Sequence, residues 1–105
     1  NHDQLGYILR YAGLMDASMD SYRRAQELDR SLENLVATQD QITKSLIYLG
    51  RYREALASHE RMESFVARLG RTPDAKEWFY RGVIHLYAGD RDRALEAFRE
   101  ITAPW

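Results

Sequence analysis

The sequence predicts an all-α protein: an α-solenoid of three helix-turn-helix repeats, about six antiparallel helices in all. Three observations predict it. Tyr-x-Gly occurs at Tyr11, Tyr48 and Tyr87, and its glycines, Gly13, Gly50 and Gly89, lie 37 and 39 residues apart. Downstream of each glycine the same succession recurs: a small side chain (Ser18, Ala55, Ala94), a ring (Tyr22, His59, Phe98) and another apolar residue (Ala25, Met62, Ile101). Between these landmarks the apolar residues fall three and four apart, the period of a helix face. A repeat of this length means units that bury their apolar faces only by stacking on their neighbours.

Each element has its own stripe. Leu5, Ile8, Leu9 and Ala12 mark a first helix, and Met15, Met19, Tyr22, Ala25 and Leu28 a second. Leu32, Leu35, Val36, Ile42, Leu46 and Leu49 mark the third, which Ser31 is placed to cap. Leu56, His59, Met62, Phe65, Val66 and Leu69 mark a long fourth helix, from about Tyr52 to Leu69 and closed by Gly70. Thr72-Pro73 opens the fifth, with threonine as cap and proline in the first turn, and its stripe is Trp78, Phe79, Val83 and Leu86. Ala94, Leu95, Phe98 and Ile101 mark the sixth, which Pro104 stops. Glycines 13, 50 and 89 end the first helix of each pair, where a left-handed residue is needed. The long spacings place extra residues in the second helices and the turns after them, around 29–34 and 66–71. The chain reads as one domain, with repeats at about 1–31, 32–71 and 72–105.

These residues resemble the tetratricopeptide repeat, a helix-turn-helix unit of about 34 residues. The third repeat matches best, with Trp78, Gly82, Gly89-Asp90, Ala94 and Phe98 at the signature spacing. Gly82 and Ala94 are small where paired helices cross closely, and Trp78 and Phe98 fill the space beside them. The first repeat keeps Leu5-Gly6, Gly13, Tyr22 and Ala25. In the second, Thr43 replaces the close-approach glycine and His59 the large aromatic residue. The resemblance implies a right-handed solenoid. The register at Asn1, and the absence of a polar capping helix after Ile101, read as a piece of a longer protein.

Composition excludes several function classes. Fifteen basic against sixteen acidic residues leave a formal net charge of −1, so no global charge draws the chain to nucleic acid or an anionic membrane. With no cysteine there is no disulfide, thiolate metal site or cysteine nucleophile. No apolar run approaches the length of a membrane span, and the expected setting is cytoplasmic. Arg51, Arg53, Arg68, Arg71, Arg91 and Arg93 are interleaved with acids and read as solvated surface. His59 and His85 occupy positions the repeat uses for packing. His59 and Glu63 share a helix face, but a metal site needs more ligands than that pair. No phosphate loop or nucleophile elbow occurs, so no enzyme and no cofactor are expected.

In the resembled family the first helix of each pair lines a concave groove. Carried over by register, that groove takes Tyr7, Arg10 and Tyr11 from the first repeat. The second contributes Asp40, Lys44, Ile47 and Tyr48, and the third Lys76, Phe79, Val83, Leu86 and Tyr87. The three Tyr-x-Gly tyrosines form a ladder that either binds a ligand or packs on the adjoining helix. The family's clamp for acidic chaperone tails corresponds here to Asp3, Tyr7, Gln41, Lys76 and Tyr80, of which only Lys76 agrees. The expected partner is a protein, through an apolar or amphipathic peptide or helix. Two alternatives stand beside this: a sensor segment of a larger transcription or signalling protein, and a structural segment that self-associates through uncapped terminal helices.

Overall fold

The computed structural model describes residues 14–102. Those residues form five helices and no strand: α1 (Met15–Leu28), α2 (Leu32–Tyr48), α3 (Tyr52–Arg68), α4 (Ala75–Tyr87) and α5 (Arg91–Thr102). The first predicted helix, Gly13 and Pro104 lie outside the described residues. Each helix packs on the next in sequence, most extensively α2 on α3 and α4 on α5, and least at α3–α4. The core joins Met19 and Tyr22 of α1, Ile42 and Leu46 of α2, Ala55 of α3 and Ile84 of α4, with Ile47 and Leu56 packed against it.

The helix ends follow from local chemistry. Gly50, Gly70 and Gly89 have φ of 76°, 75° and 90°, a region other residues enter only with strain. At all three the two turn N–H groups return to the helix: Gly50 and Arg51 donate to Ile47 and Leu46, Gly70 and Arg71 to Ala67 and Val66, and Gly89 and Asp90 to Leu86 and His85. This paired closure satisfies carbonyls that the helix end would otherwise leave unpaired. The α1–α2 turn manages without glycine. Asn34 Nδ2 donates to the carbonyls of Ala25 and Asp29, and Asp29 Oδ1 accepts from Ser31 N–H. Ser31 caps α2 as expected, accepting from Asn34 N–H.

Two expectations need correction. Thr72-Pro73 does not open α4. Its N-cap is Asp74, whose carboxylate accepts from Glu77 N–H at 2.9 Å, so helical geometry starts after the proline. Nor is the first long spacing explained by a long second helix. α1 has an ordinary 14 residues, and the extra length is in α2, which has 17. The second spacing does agree with the expectation: α3 has 17 residues, and a connector at 69–74 precedes α4.

Candidate functional site between α2 and α4

α2 and α4 are the first helices of the second and third pairs, and a cleft of about 290 Å³ opens between them. One wall is Val36, Ala37, Asp40 and Gln41 of α2. The other is Asp74, Lys76, Glu77 and Tyr80 at the start of α4, and Met62 of α3 also lines the space. The Asp40 carboxylate joins the two walls, lying 3.0 Å from Lys44 Nζ and 3.8 Å from Lys76 Nζ. The Lys44 ammonium also stands 5.4 Å from the centre of the Tyr80 ring. Burial works against the Lys44 charge, but Asp40 and Tyr80 outweigh it and hold its pKa above the usual lysine value. Glu77 Oε2 is buried in this cleft with no hydrogen-bond partner among the described residues. Burial, with Asp74 nearby, pushes its carboxyl above the usual range.

Nine of the predicted groove residues lie in the described part, and Tyr7, Arg10 and Tyr11 lie outside it. The structure brings Asp40, Lys44 and Lys76 together by ion pairing. Val83 is half-buried, and Phe79, Leu86 and Tyr87 are exposed on α4. Ile47 is only partly open, because it packs against the core. The tyrosine ladder divides. Tyr48 is 79% exposed. Tyr87 is also exposed but stacks on Tyr52 of α3, ring centres 5.4 Å apart and nearly parallel. Of the cleft residues, only Asp40 and Lys76 were in the predicted groove set; Gln41 and Tyr80 were noted at clamp positions alone, and Val36, Ala37, Met62, Asp74 and Glu77 were not assigned to the site. Tyr80 lies one turn after Lys76, a spacing that would have placed it on the same face.

A second, larger cleft of about 450 Å³ is lined by Trp78, Arg81 and His85 of α4 and Arg93, Glu96, Ala97 and Glu100 of α5. Its cations already have acids. Arg81 hydrogen-bonds Glu63 and lies 3.9 Å from Glu60, and Arg93 pairs with Asp90 at 3.3 Å. That leaves little free charge for an anionic ligand. His59 and His85 are both buried, as their repeat positions imply. His59 Nε2 is 3.8 Å from Glu63 Oε1, but that oxygen accepts from Arg81, and neither imidazole nitrogen has a hydrogen-bond partner among the described residues. Among the described residues no three metal-ligating side chains gather, and no helix is long and apolar enough to cross a membrane.

Consecutive helices closed by glycine turns, with small residues at the crossings, define an all-α helical-repeat protein. The tetratricopeptide repeat family model matches residues 2–32, and the five helices are consistent with repeats of that kind. Such repeats generally mediate protein–protein interaction. No curated protein matches the chain.

Proposed function

We propose that the chain is a cytoplasmic, non-enzymatic interaction module that binds a peptide or helix of a partner protein along α2 and α4, in a scaffolding or regulatory role. The observation that carries this reading is the α2–α4 cleft, which Asp40, Lys76, Glu77 and Tyr80 line together with apolar Val36 and Met62. Tyr48 offers a broad ring with little rotamer entropy to lose on binding. The acidic lining of Asp40, Asp74 and Glu77 favours a ligand that brings a hydrogen-bond donor, such as a basic side chain or an amide. With Asp40 and Asp74 also in the wall, the cleft suits such a ligand better than an acidic tail.

A displayed random-peptide library selected on the whole chain tests the proposal. The selected peptides are expected to carry a donor-bearing residue beside apolar ones. They should lose at least about tenfold in affinity on Tyr48→Ala or Glu77→Ala, with helical content unchanged. Peptides that bind both variants as tightly as the parent chain would show that the groove is not where they bind.

A further inference from the structure

We propose that the cleft between α4 and α5 is a second binding site, taking a guanidinium group against Trp78, Glu96 and Glu100 and a carbonyl of the same ligand at its His85 end. This cleft shares no lining residue with the α2–α4 cleft and does not rest on the groove reading.

Comparison of the repeats shows where the cleft departs from plain packing. Thirty-nine residues earlier, its α4 positions are Gln39, Ile42 and Leu46 of α2, all buried, and Gln26 of α1 closes over Gln39 with a hydrogen bond of 3.0 Å. In the third pair the same positions hold Trp78, Arg81 and His85, and about 450 Å³ stays open beside them. Arg81 reaches back to Glu63 and Glu60 of α3, so the cleft is turned toward the preceding helix pair and opens within the array. Two apolar core residues have become a cation and an imidazole at that opening, a change that packing alone does not call for.

The free charge in the cleft is acidic. Arg81 and Arg93 are paired with Glu63 and Asp90, which are not part of its lining. Glu96 and Glu100, exposed and one turn apart on α5, have no ion-pair partner among the described residues. α4 and α5 run antiparallel about the close approach of Gly82 to Phe98, which puts half-buried Trp78 toward the Glu100 end and His85 toward the Arg93 end. His85 is 5% exposed, yet it lines the cleft, and its ring has no hydrogen-bond partner among the described residues. Burial and the Arg81 charge hold it neutral near pH 7, with one N–H to donate.

These groups specify the ligand. A planar guanidinium stacks on an indole face and pairs bidentately with a carboxylate, a geometry an ammonium lacks. Trp78 and His85 are seven residues apart, about 10 Å along the helix. That span suits a guanidinium on a flexible stem with a carbonyl at its far end, as in an arginine residue of a peptide or a free guanidino acid. An acidic group in place of the guanidinium would meet Glu96 and Glu100.

NMR titration of the full chain tests the proposal, read at the indole N–H signal that Trp78→Leu removes. The probes are N-acetyl-arginine amide, 4-guanidinobutyrate and N-acetyl-citrulline amide, the last an uncharged isostere of the first. Both guanidinium compounds are expected to bind at least about tenfold more tightly than the citrulline compound. Tighter binding of the capped arginine assigns the ligand to a protein chain, and tighter binding of guanidinobutyrate to a small molecule. Glu96→Gln combined with Glu100→Gln should weaken both by about tenfold or more, whereas Glu27→Gln on α1 should leave them unchanged. His85→Leu, which installs the residue of the second pair, should also weaken binding while circular dichroism stays helical. An indole signal that does not move, equal affinity for the arginine and citrulline compounds, or indifference to the paired glutamate change would overturn the proposal.

Discussion

At the scale of single residues, the most constrained position is Gly82. A Cβ placed there would come within 2.4 Å of the Phe98 ring, closer than real contacts allow, so the α4–α5 crossing is fitted to a missing side chain. The equivalent crossing of α2 and α3 is solved differently. There Thr43 replaces glycine, and its hydroxyl donates to the Gln39 carbonyl at 3.0 Å. Gln39 Nε2 donates to Ser58 Oγ, which leaves the Ser58 hydroxyl to donate to Thr43 Oγ1 at 2.7 Å. Gln26 of α1 joins the same network by donating to Gln39 Oε1. Every buried polar group in this chain of bonds has a partner, so the polar crossing carries little penalty. Gly82→Ala gains helix propensity of about 1 kcal/mol but must displace Phe98, an overpacking cost of roughly 1–3 kcal/mol. The net expectation is a modest destabilisation, and a larger one for Gly82→Leu. A double-mutant cycle in urea checks the cause, because Phe98→Leu should remove most of the Gly82→Ala penalty. Strict additivity would mean that the ring is not what excludes the side chain. Gly82 was legible in the sequence because its repeat position names it. The Gln39–Ser58–Thr43 network was not, since nothing in the period of a sequence reports which hydroxyls meet across a crossing.

At the scale of elements, helix ends were legible where glycine closes them and less so where side chains do. All three described turn glycines are left-handed, as their positions predict. The α1–α2 turn is held instead by Asn34 and Asp29. The start of α4 was misplaced because Thr72-Pro73 has the composition of a helix opening, while the better acceptor, Asp74, stands just after it. That cap has a measurable consequence. Asp74→Ala should destabilise the protein by about 1 kcal/mol, and Asp74→Asn by much less, because both Asp and Asn accept from Glu77 N–H. Chemical denaturation of the three proteins checks it, and equal stability of Asp74→Ala and the parent chain would mean that the helix start is held by packing alone. The candidate site shows the same division. Asp40, Lys44 and Lys76 were legible from register, whereas the stacking of Tyr87 on Tyr52 depends on how α3 and α4 meet.

For the molecule as a whole, stability is tied to pH through a buried histidine of α3. His59 is 1% exposed, and among the described residues neither of its nitrogens has a hydrogen-bond partner. Desolvation, then the nearby Arg81 charge, lowers its pKa from 6.5 to about 4, with a smaller push in the same direction from His85 and an opposing pull from Asp40. The unfolded chain therefore binds a proton at His59 between about pH 6.5 and 4, where the folded chain does not. Stability falls as pH drops through that window and levels off below it. The depression corresponds to a loss of about 3 kcal/mol. Burial lowers the pKa of His85 as well, which acts in the same direction. Glu63 and Glu77, both held above the usual carboxylate range by burial, act in the opposite direction, so the total acid profile mixes several groups. A substitution separates them. Phe98 shows that the repeat accepts a phenyl ring at this position, so His59→Phe should fold and should lose the His59 contribution alone. Urea unfolding of both proteins from pH 7 to 4 is expected to show a stability difference that shifts in favour of His59→Phe by up to about 3 kcal/mol as pH falls, nearly all of it below pH 6.5. A difference that stays constant across that range would mean that His59 titrates alike in the folded and unfolded chains, and its burial would not be the source of any acid sensitivity.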